Sequence, residues 1–221
     1  MRYWHPRAEE ALATFAMEDI TRIVALPLYP HFSRATSGSS LKDLHEASQK
    51  SSQDFSLLEI PSWPDNPLYI ESLAGNIREG LRQFDGKEAT IVFSAHSLPV
   101  SFIEEGDPYL DHLQKTLQAL EEQTGISGKL CFQSRSGPVE WLAPSTEEML
   151  GQLAQNGCKN VLMVPISFVS DHVETLYEID MLYRDMAKQL GMTCFSSPSL
   201  NTGAPFIAAL KNLVLQRLEQ A

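Results

Sequence analysis

The sequence is poor in the features that define several large classes of protein. Its 221 residues contain 17 Lys and Arg against 28 Asp and Glu, and they contain no long apolar run. The longest nearly apolar stretch, residues 161–169, is too short to span a bilayer, and no basic segment with an apolar core marks a signal peptide. The net charge of −11 argues against nucleic acid as a partner and against electrostatic docking on anionic lipid, although a local patch could still contact a membrane peripherally. We therefore expect a soluble protein in the cytoplasm.

Cysteine is also scarce, and several catalytic signatures are missing. Cys131, Cys158 and Cys194 stand far apart without a C-x-x-C pair, which indicates reduced core thiols and neither a zinc knuckle nor a disulfide framework. The hydroxyl-rich segment 36–40 lies in no P-loop or G-x-G-x-x-G pattern, so we expect Ser39 or Ser40 to cap a helix there. No G-x-S-x-G elbow is present, which argues against serine hydrolysis.

Short apolar segments alternate with amphipathic ones throughout the chain. Predicted strands are residues 20–28, 56–61, 90–95, 129–133, 160–168 and 192–196. Predicted helices are residues 5–17, 39–53, 67–84, 108–124, 146–156, 172–190 and 205–219. Strands separated by helices of this length predict an α/β fold built from parallel βαβ units. We place a domain boundary near residues 86–88, which gives a first half at 1–88, a second at 89–202 and a C-terminal helix at 203–221.

A lone histidine stands where one predicted strand ends. His96 follows the apolar run 91–95, and the carboxyl ends of parallel strands are where open α/β sheets bind ligands. An imidazole at such a position can take a proton or ligate a metal near neutral pH. His96 is therefore a candidate catalytic residue and metal ligand.

A second strand end is followed by acidic residues. Asp171, Glu174 and Glu178 are spaced i, i+3 and i+7, which predicts three carboxylates on one face of a helix, with His172 beside them but off that face. Such a line of carboxylates could pass protons or divalent metal ions. Together with His96, this segment favours a metal-handling cleft.

Each of these residues also has an ordinary structural interpretation. A histidine after a strand is most often a hydrogen-bonded structural residue, so His96 by itself does not establish a site. Asp171 and Glu174 could simply oppose the dipole of their own helix, an effect of roughly 0.3–1 kcal/mol each. Trp141 could be a core residue or a flat wall for a ligand.

The motifs resemble those of the ferrochelatase family, in order and in spacing. Four blocks carry the resemblance: Leu26-Pro-Leu-Tyr-Pro30 with Thr36-Ser-Gly-Ser-Ser40, Phe93-Ser-Ala-His-Ser-Leu-Pro99, Gln133-Ser-Arg-Ser-Gly-Pro138 with Trp141-Leu-Ala-Pro144, and Ser170-Asp-His-Val-Glu-Thr-Leu-Tyr-Glu178. Family members begin with a glycine-containing strand and a long lip region, and Met1-Arg-Tyr-Trp-His-Pro6 resembles an internal family segment. The resemblance thus implies a chain without the N-terminal part of its first domain.

The resemblance further implies two flavodoxin-like halves around a cleft, the first half incomplete, with the last helix folding back on the first half. Ferrochelatases that hold a [2Fe–2S] cluster have a cysteine where this chain has Arg34, so we expect no cluster. The implied reaction inserts Fe²⁺, as substrate, into protoporphyrin IX to give haem. Coproporphyrin III is the nearest alternative substrate, and a truncated, non-catalytic product that binds metal or porphyrin is the alternative from another class.

The chemistry assigns a role to each candidate residue. Metal insertion removes two pyrrole protons, which requires a proton acceptor facing the macrocycle and a carboxylate route for charge. A histidine with carboxylates also holds Fe²⁺ only moderately, whereas a set of thiolates would bind it too tightly to release it. The implied roles are proton acceptor and metal ligand for His96, its partner and second ligand for Glu174, a proton or metal path for Asp171, His172 and Glu178, and porphyrin contacts for Arg2, Tyr3 and Trp141.

Overall fold

The computed structural model describes residues 4–220, which form two parallel sheets connected and flanked by helices. Strands β1 (Arg22–Ala25) and β2 (Ser56–Glu59) pair in one sheet. The other sheet has the order β4 (Lys129–Gln133), β3 (Thr90–His96), β5 (Asn160–Pro165) and β6 (Thr193–Ser196). This second order, with its first strand inside the sheet, matches the first four positions of a flavodoxin-like sheet. The structure confirms the predicted α/β class with parallel sheets.

The elements follow one another in a regular alternation of strands and helices. The strands are β1 (Arg22–Ala25), β2 (Ser56–Glu59), β3 (Thr90–His96), β4 (Lys129–Gln133), β5 (Asn160–Pro165) and β6 (Thr193–Ser196). The α-helices are α1 (Ala8–Met17), α2 (Ser39–Lys50), α3 (Pro67–Arg82), α4 (Val100–Glu104), α5 (Tyr109–Thr124), α6 (Thr146–Gln155), α7 (Arg184–Gln189) and α8 (Ala204–Glu219). Two π-helical segments, Arg34–Gly38 and Glu174–Tyr183, run directly into α2 and α7.

Local sequence signals explain where several helices begin and end. At α6, the Ser145 hydroxyl accepts a hydrogen bond from the Glu148 amide at 3.1 Å, and the Glu148 carboxylate accepts one from the Ser145 amide at 2.6 Å. Gly125, Gly157 and Gly191 have φ of +72°, +78° and +77°, a left-handed conformation that ends a helix and suits glycine. Both signals are local, so the sequence S-x-x-E and the positions of these glycines are enough to mark the helix ends.

The structure departs from the predicted elements mainly around the π-helical segments. The helix predicted at residues 39–53 forms as α2, with the π-helical segment Arg34–Gly38 directly before it. Residues 172–190 were expected to form one helix, yet the π-helical segment Glu174–Tyr183 precedes α7 there. Helix α4 was not predicted, because five residues after a Pro carry too little periodicity to be recognised. A π-helix differs from an α-helix by one residue in its hydrogen-bond spacing, which leaves the apolar pattern almost unchanged.

One hydrophobic core runs through both halves of the molecule. Its buried residues include Trp63 and Ile77 from the first half and Phe93 and Leu162 from the second. Helix α8 contributes Phe206 to this core and packs on α3, β1 and β2, which belong to the first half. Residues 26–29 of the first half and 167–170 of the second line one shared cleft. Among residues 4–220, no helix combines the length and apolar character needed to cross a bilayer.

Candidate active site

His96 is the last residue of β3, and its backbone is fixed from two sides. The His96 amide donates a hydrogen bond to Ser167 Oγ at 2.9 Å, and the Tyr109 hydroxyl donates one to the His96 carbonyl at 2.9 Å. Tyr109 is buried, and burial raises the pKa of its hydroxyl, so it acts as a neutral donor. These contacts hold the imidazole at the carboxyl end of the larger sheet.

The His96 side chain forms a hydrogen bond with Glu174, the first residue of the second π-helical segment. His96 Nδ1 lies 2.9 Å from Glu174 Oε2, with 39% and 36% of the two side chains exposed. An ionised carboxylate only accepts hydrogen bonds, so the neutral imidazole carries its proton on Nδ1. His96 Nε2 then keeps a lone pair that can accept a proton or ligate a metal. The structure thus brings the two predicted central residues together.

A network of polar side chains joins Glu174 to Glu178. The Ser134 hydroxyl lies 2.7 Å from Glu178 Oε2 and 3.3 Å from Glu174 Oε2, so it bridges both carboxylates. Gln133 Nε2 donates to Glu178 Oε2 at 3.0 Å, and the Ser94 hydroxyl donates to Gln133 Oε1 at 2.5 Å. Ser134 has φ of +63°, an uncommon backbone conformation outside glycine that tends to persist where function requires it.

The expected position of Asp171 is wrong. The π-helical segment begins at Glu174, so Asp171 does not share a helix with Glu174 and Glu178. The Asp171 amide donates to Asn201 Oδ1 at 2.9 Å, and Asn201 Nδ2 donates to the Asp171 carboxylate at 2.9 Å. This paired contact holds Asp171 in the loop before the helix. Its role in a proton or metal path stays a prediction.

His172 caps the π-helical segment. Its Nδ1 accepts a hydrogen bond from the Glu174 amide at 3.1 Å, so the proton of the neutral ring is on Nε2. Burial keeps the pKa of His172 below its ordinary value, which favours the neutral form. Nε2 is buried and has no partner among the described residues, and His172 lines the main cleft.

Two cavities meet at Glu174. The larger has a volume of about 850 Å³. The residues that line it include Trp4, Leu26, Leu28, Tyr29, Phe168 and His172. The smaller, of about 180 Å³, is lined by His31, His96, Tyr109 and Glu174 among others. A volume of 850 Å³ lies within the range of roughly 300–1,000 Å³ typical of sites for small organic ligands.

Three predicted porphyrin contacts remain predictions. Arg2 and Tyr3 lie outside the described residues. Trp141 forms an isolated antiparallel bridge with Pro99, three residues after His96, and its buried Nε1 has no described partner. It is not among the residues that line the two cavities.

Sequence reasoning missed several residues that hold the site in place. Tyr109, Ser134 and Ser167 each contact His96 or its acidic partners, and Gln133 was quoted only as part of a motif. The sequence offered one signal for Gln133 and Ser134, which is their position at the end of a predicted strand. Their contacts depend on strand order, which a single sequence does not contain.

Known proteins of one family are similar to this chain over nearly all of its length. A sequence model of the ferrochelatase family matches residues 1–218. The chain is 58% identical to the ferrochelatase of Desulfotalea psychrophila over 216 residues, which cover 98% of this chain and 68% of that protein. It is 54% identical to the ferrochelatase of Geotalea uraniireducens over 217 residues, which cover 97% of this chain and 68% of that protein.

Solved structures show the same fold in a distant protein. SirB from Bacillus subtilis with Fe³⁺ superposes with a TM-score of 0.70 at 13% identity, covering 97% of this chain and 78% of that one. This likeness concerns the fold alone. The matched sequence model and the identities above 50%, taken with the motif blocks around the His96–Glu174 pair, establish that the chain belongs to the ferrochelatase family.

Proposed function

We propose that this chain inserts Fe²⁺ into protoporphyrin IX to form haem, using His96 and Glu174 as its reactive pair. The observation that carries the proposal is the 2.9 Å contact between His96 Nδ1 and Glu174 Oε2 beside a cleft large enough for a macrocycle. The family inserts metal into porphyrin in haem biosynthesis, and the cytoplasm is the location we propose for this step.

The reaction exchanges two protons for one divalent ion and involves no change of oxidation state. Two pyrrole N–H bonds break, and each nitrogen keeps the electron pair of its broken bond. Both nitrogens then bind the metal through these electron pairs. Once Fe²⁺ has moved from His96 Nε2 to the macrocycle, Nε2 accepts the first proton, and the Glu174 carboxylate stabilises the imidazolium through Nδ1. The Glu174 carboxylate takes the second proton. Because imidazole and carboxylate hold Fe²⁺ less tightly than thiolates, the ion can leave these two ligands for the macrocycle.

The porphyrin would lie in the larger cavity against an apolar wall. Leu26, Leu28 and Tyr29 line this cavity on one side and Phe168 on the other. Leu28 and Tyr29 are exposed although both are large apolar or aromatic residues, which is typical of a ligand-binding surface. His172 also lines this cavity, and its buried Nε2 has no hydrogen-bond partner among the described residues.

Protons would leave the site along the acidic side chains. Ser134 Oγ contacts both Glu174 and Glu178, so a proton on Glu174 has a hydroxyl bridge to the second carboxylate. Glu178 lies one helical turn further along the π-helical segment. Glu178 is itself partly exposed, so it can pass the proton to solvent.

The decisive test is anaerobic Fe²⁺ insertion, followed by the shift of the Soret band, with protoporphyrin IX and coproporphyrin III in parallel. We expect turnover with protoporphyrin IX in the parent chain and its loss in His96→Ala. His5→Ala is the matched control, because His5 is an exposed histidine whose contact is with Glu10. Preferential turnover of coproporphyrin III would reassign the substrate.

Two further outcomes would overturn the proposal. An active His96→Ala chain would remove the assigned proton acceptor. A folded parent chain that quenches its tryptophan fluorescence on adding porphyrin, yet inserts no metal, would identify a binding protein without turnover.

A further inference from the structure

His31 is a buried histidine for which the proposed reaction has no use. It is 2% exposed, and its Nε2 lies 2.9 Å from Thr116 Oγ1. The Thr116 hydroxyl has one hydrogen, which it donates to the Pro64 carbonyl at 2.6 Å. Thr116 therefore accepts from His31, and the neutral imidazole carries its hydrogen on Nε2. The lone pair is on Nδ1.

That lone pair has no partner. Nδ1 of His31 is buried and makes no hydrogen bond with the described residues. Burial lowers the pKa of His31 to about 3, so the ring stays neutral and Nδ1 stays an acceptor at physiological pH. Buried acceptors in proteins almost always meet a protein donor or an ordered water. A donor from a bound species is therefore expected at this atom.

The smaller cavity is the place where such a species binds. His31 lines it together with His96 and Glu174, the pair assigned to the metal. At about 30 Å³ for each water in the liquid, its 180 Å³ has room for about six waters or a hydrated ion of that size. The species must donate hydrogen bonds to a neutral imidazole and tolerate a carboxylate.

The protein ligands alone do not complete a metal site. Within residues 4–220, no group of three His, Cys, Asp or Glu side chains is arranged to hold a metal ion. A divalent ion on His96 and Glu174 must therefore keep several of its own waters. Water bound to a cation is a strong hydrogen-bond donor, and side chains that accept from such waters tune metal affinity.

We propose that the smaller cavity receives Fe²⁺ as a partly hydrated ion, and that His31 Nδ1 accepts a hydrogen bond from one of its waters. The inference rests on the proposed function, since it takes His96 and Glu174 as the metal ligands. His31 is a positioning residue in this arrangement. It holds the ion beside His96 until the macrocycle replaces the waters.

Metal binding without porphyrin tests the proposal by calorimetry with Co²⁺ and, anaerobically, with Fe²⁺. His31→Gln places an amide near the Nε2 position and can keep the Thr116 contact, but it removes the acceptor at Nδ1. His31→Asn places an oxygen near Nδ1. We expect His31→Gln to weaken the Kd by about 10-fold or more, the usual cost of losing an outer-shell partner, and His31→Asn to restore much of it.

The failures of the two proposals are distinguishable. If His96→Ala weakens metal binding while His31→Gln binds as tightly as the parent chain, the role of His31 is wrong and the metal pair stands. If His96→Ala also binds normally, the metal pair itself is wrong.

A measurement on the unaltered protein covers the case in which the variants fail to fold. In the NMR spectrum of the protein labelled with ¹⁵N-histidine, adding Zn²⁺ should move the ¹⁵N resonance of His31 Nδ1 toward that of a hydrogen-bonded nitrogen. The ring-nitrogen resonances of His5 should stay in place. An unchanged His31 Nδ1 resonance at saturating Zn²⁺ would overturn the proposal.

Discussion

His96 Nδ1 and Glu174 Oε2 lie 2.9 Å apart although 78 positions separate the two residues in the chain. The contact exists because β3 and β5 are parallel neighbours, so the segments that leave them start at the same edge of the sheet. Glu174 is the first residue of a π-helical segment, and such segments occur often at functional sites. The pair couples a proton acceptor to a fixed negative charge.

The charge on Glu174 should matter more than its hydrogen bond. Glu174→Gln leaves an oxygen that can accept from His96 Nδ1, but it removes the charge that stabilises the imidazolium. We expect kcat for metal insertion to fall by roughly 100-fold or more, within the range for lost acid–base catalysis. The measurement is steady-state insertion, with Glu104→Gln, on the short helix α4, as the matched control. A Glu174→Gln chain with the kcat of that control would contradict the assignment.

The Asp107 carboxylate accepts hydrogen bonds from both the loop after β1 and the start of α5. Its Oδ2 accepts from the Ser33 hydroxyl at 3.0 Å and the Arg34 amide at 2.8 Å, and its Oδ1 accepts from the Tyr109 amide at 3.1 Å. An asparagine has one carbonyl oxygen, so Asp107→Asn leaves at least one buried donor without a partner.

We expect Asp107→Asn to lower the free energy of unfolding by about 1–3 kcal/mol. Urea denaturation measures it, and Asp111→Asn on the exposed face of α5 is the control, expected to change little. Equal denaturation midpoints for the two variants would show that the hydrogen bonds of Asp107 add nothing to stability.

Gly80 permits the close approach of α3 to the larger sheet. A Cβ at this position would lie 2.8 Å from Leu162 Cδ1 and 3.1 Å from the Ser197 backbone. Gly80→Ala should therefore destabilise the chain by roughly 1–3 kcal/mol through overpacking.

Gly75 lies on the same helix, and a Cβ there would meet nothing within 4 Å. Gly75→Ala should stabilise by up to about 1 kcal/mol, because alanine favours the helix. Thermal unfolding of both variants checks the contrast in sign, and a stabilising Gly80→Ala would refute the close packing of α3 on β5.

Burial of His31 makes stability depend on pH. Its pKa is about 3 in the folded chain, below the ordinary histidine value of 6.5 expected in the unfolded chain, so between these values the unfolded chain holds one more proton. Because of His31, the free energy of unfolding is therefore highest above pH 6.5 and decreases as the pH falls toward 3, by about 1.4 kcal/mol for each pH unit.

His31→Gln should remove this one-proton slope. The measurement compares the free energy of unfolding of the two chains from urea titrations at several pH values between 6.5 and 4. Parallel pH profiles would mean that His31 is protonated in the folded chain or stays unprotonated in the unfolded one.

The sequence by itself determined the alternation of strands and helices, and with it the parallel sheets. Residues 129–133 were predicted as a strand and form β4 with the same bounds, because their apolar run ends at clear polar boundaries. The Ser145–Glu148 capping box and the glycine stops are local chemistry, so they too are readable from sequence. The pairing of His96 with Glu174 was expected only through family resemblance.

Tertiary structure alone decided which side chains surround that pair. Asp171 was expected on the acidic face but is held in a loop by Asn201, 30 positions away. Ser134 bridges two carboxylates because β4 lies beside β3, and His31 lacks a donor because Thr116 accepts from its other nitrogen. These contacts depend on strand order and on the atoms that long-range packing brings within hydrogen-bond distance. Local periodicity carries no information on either, since it records only which side of an element is apolar.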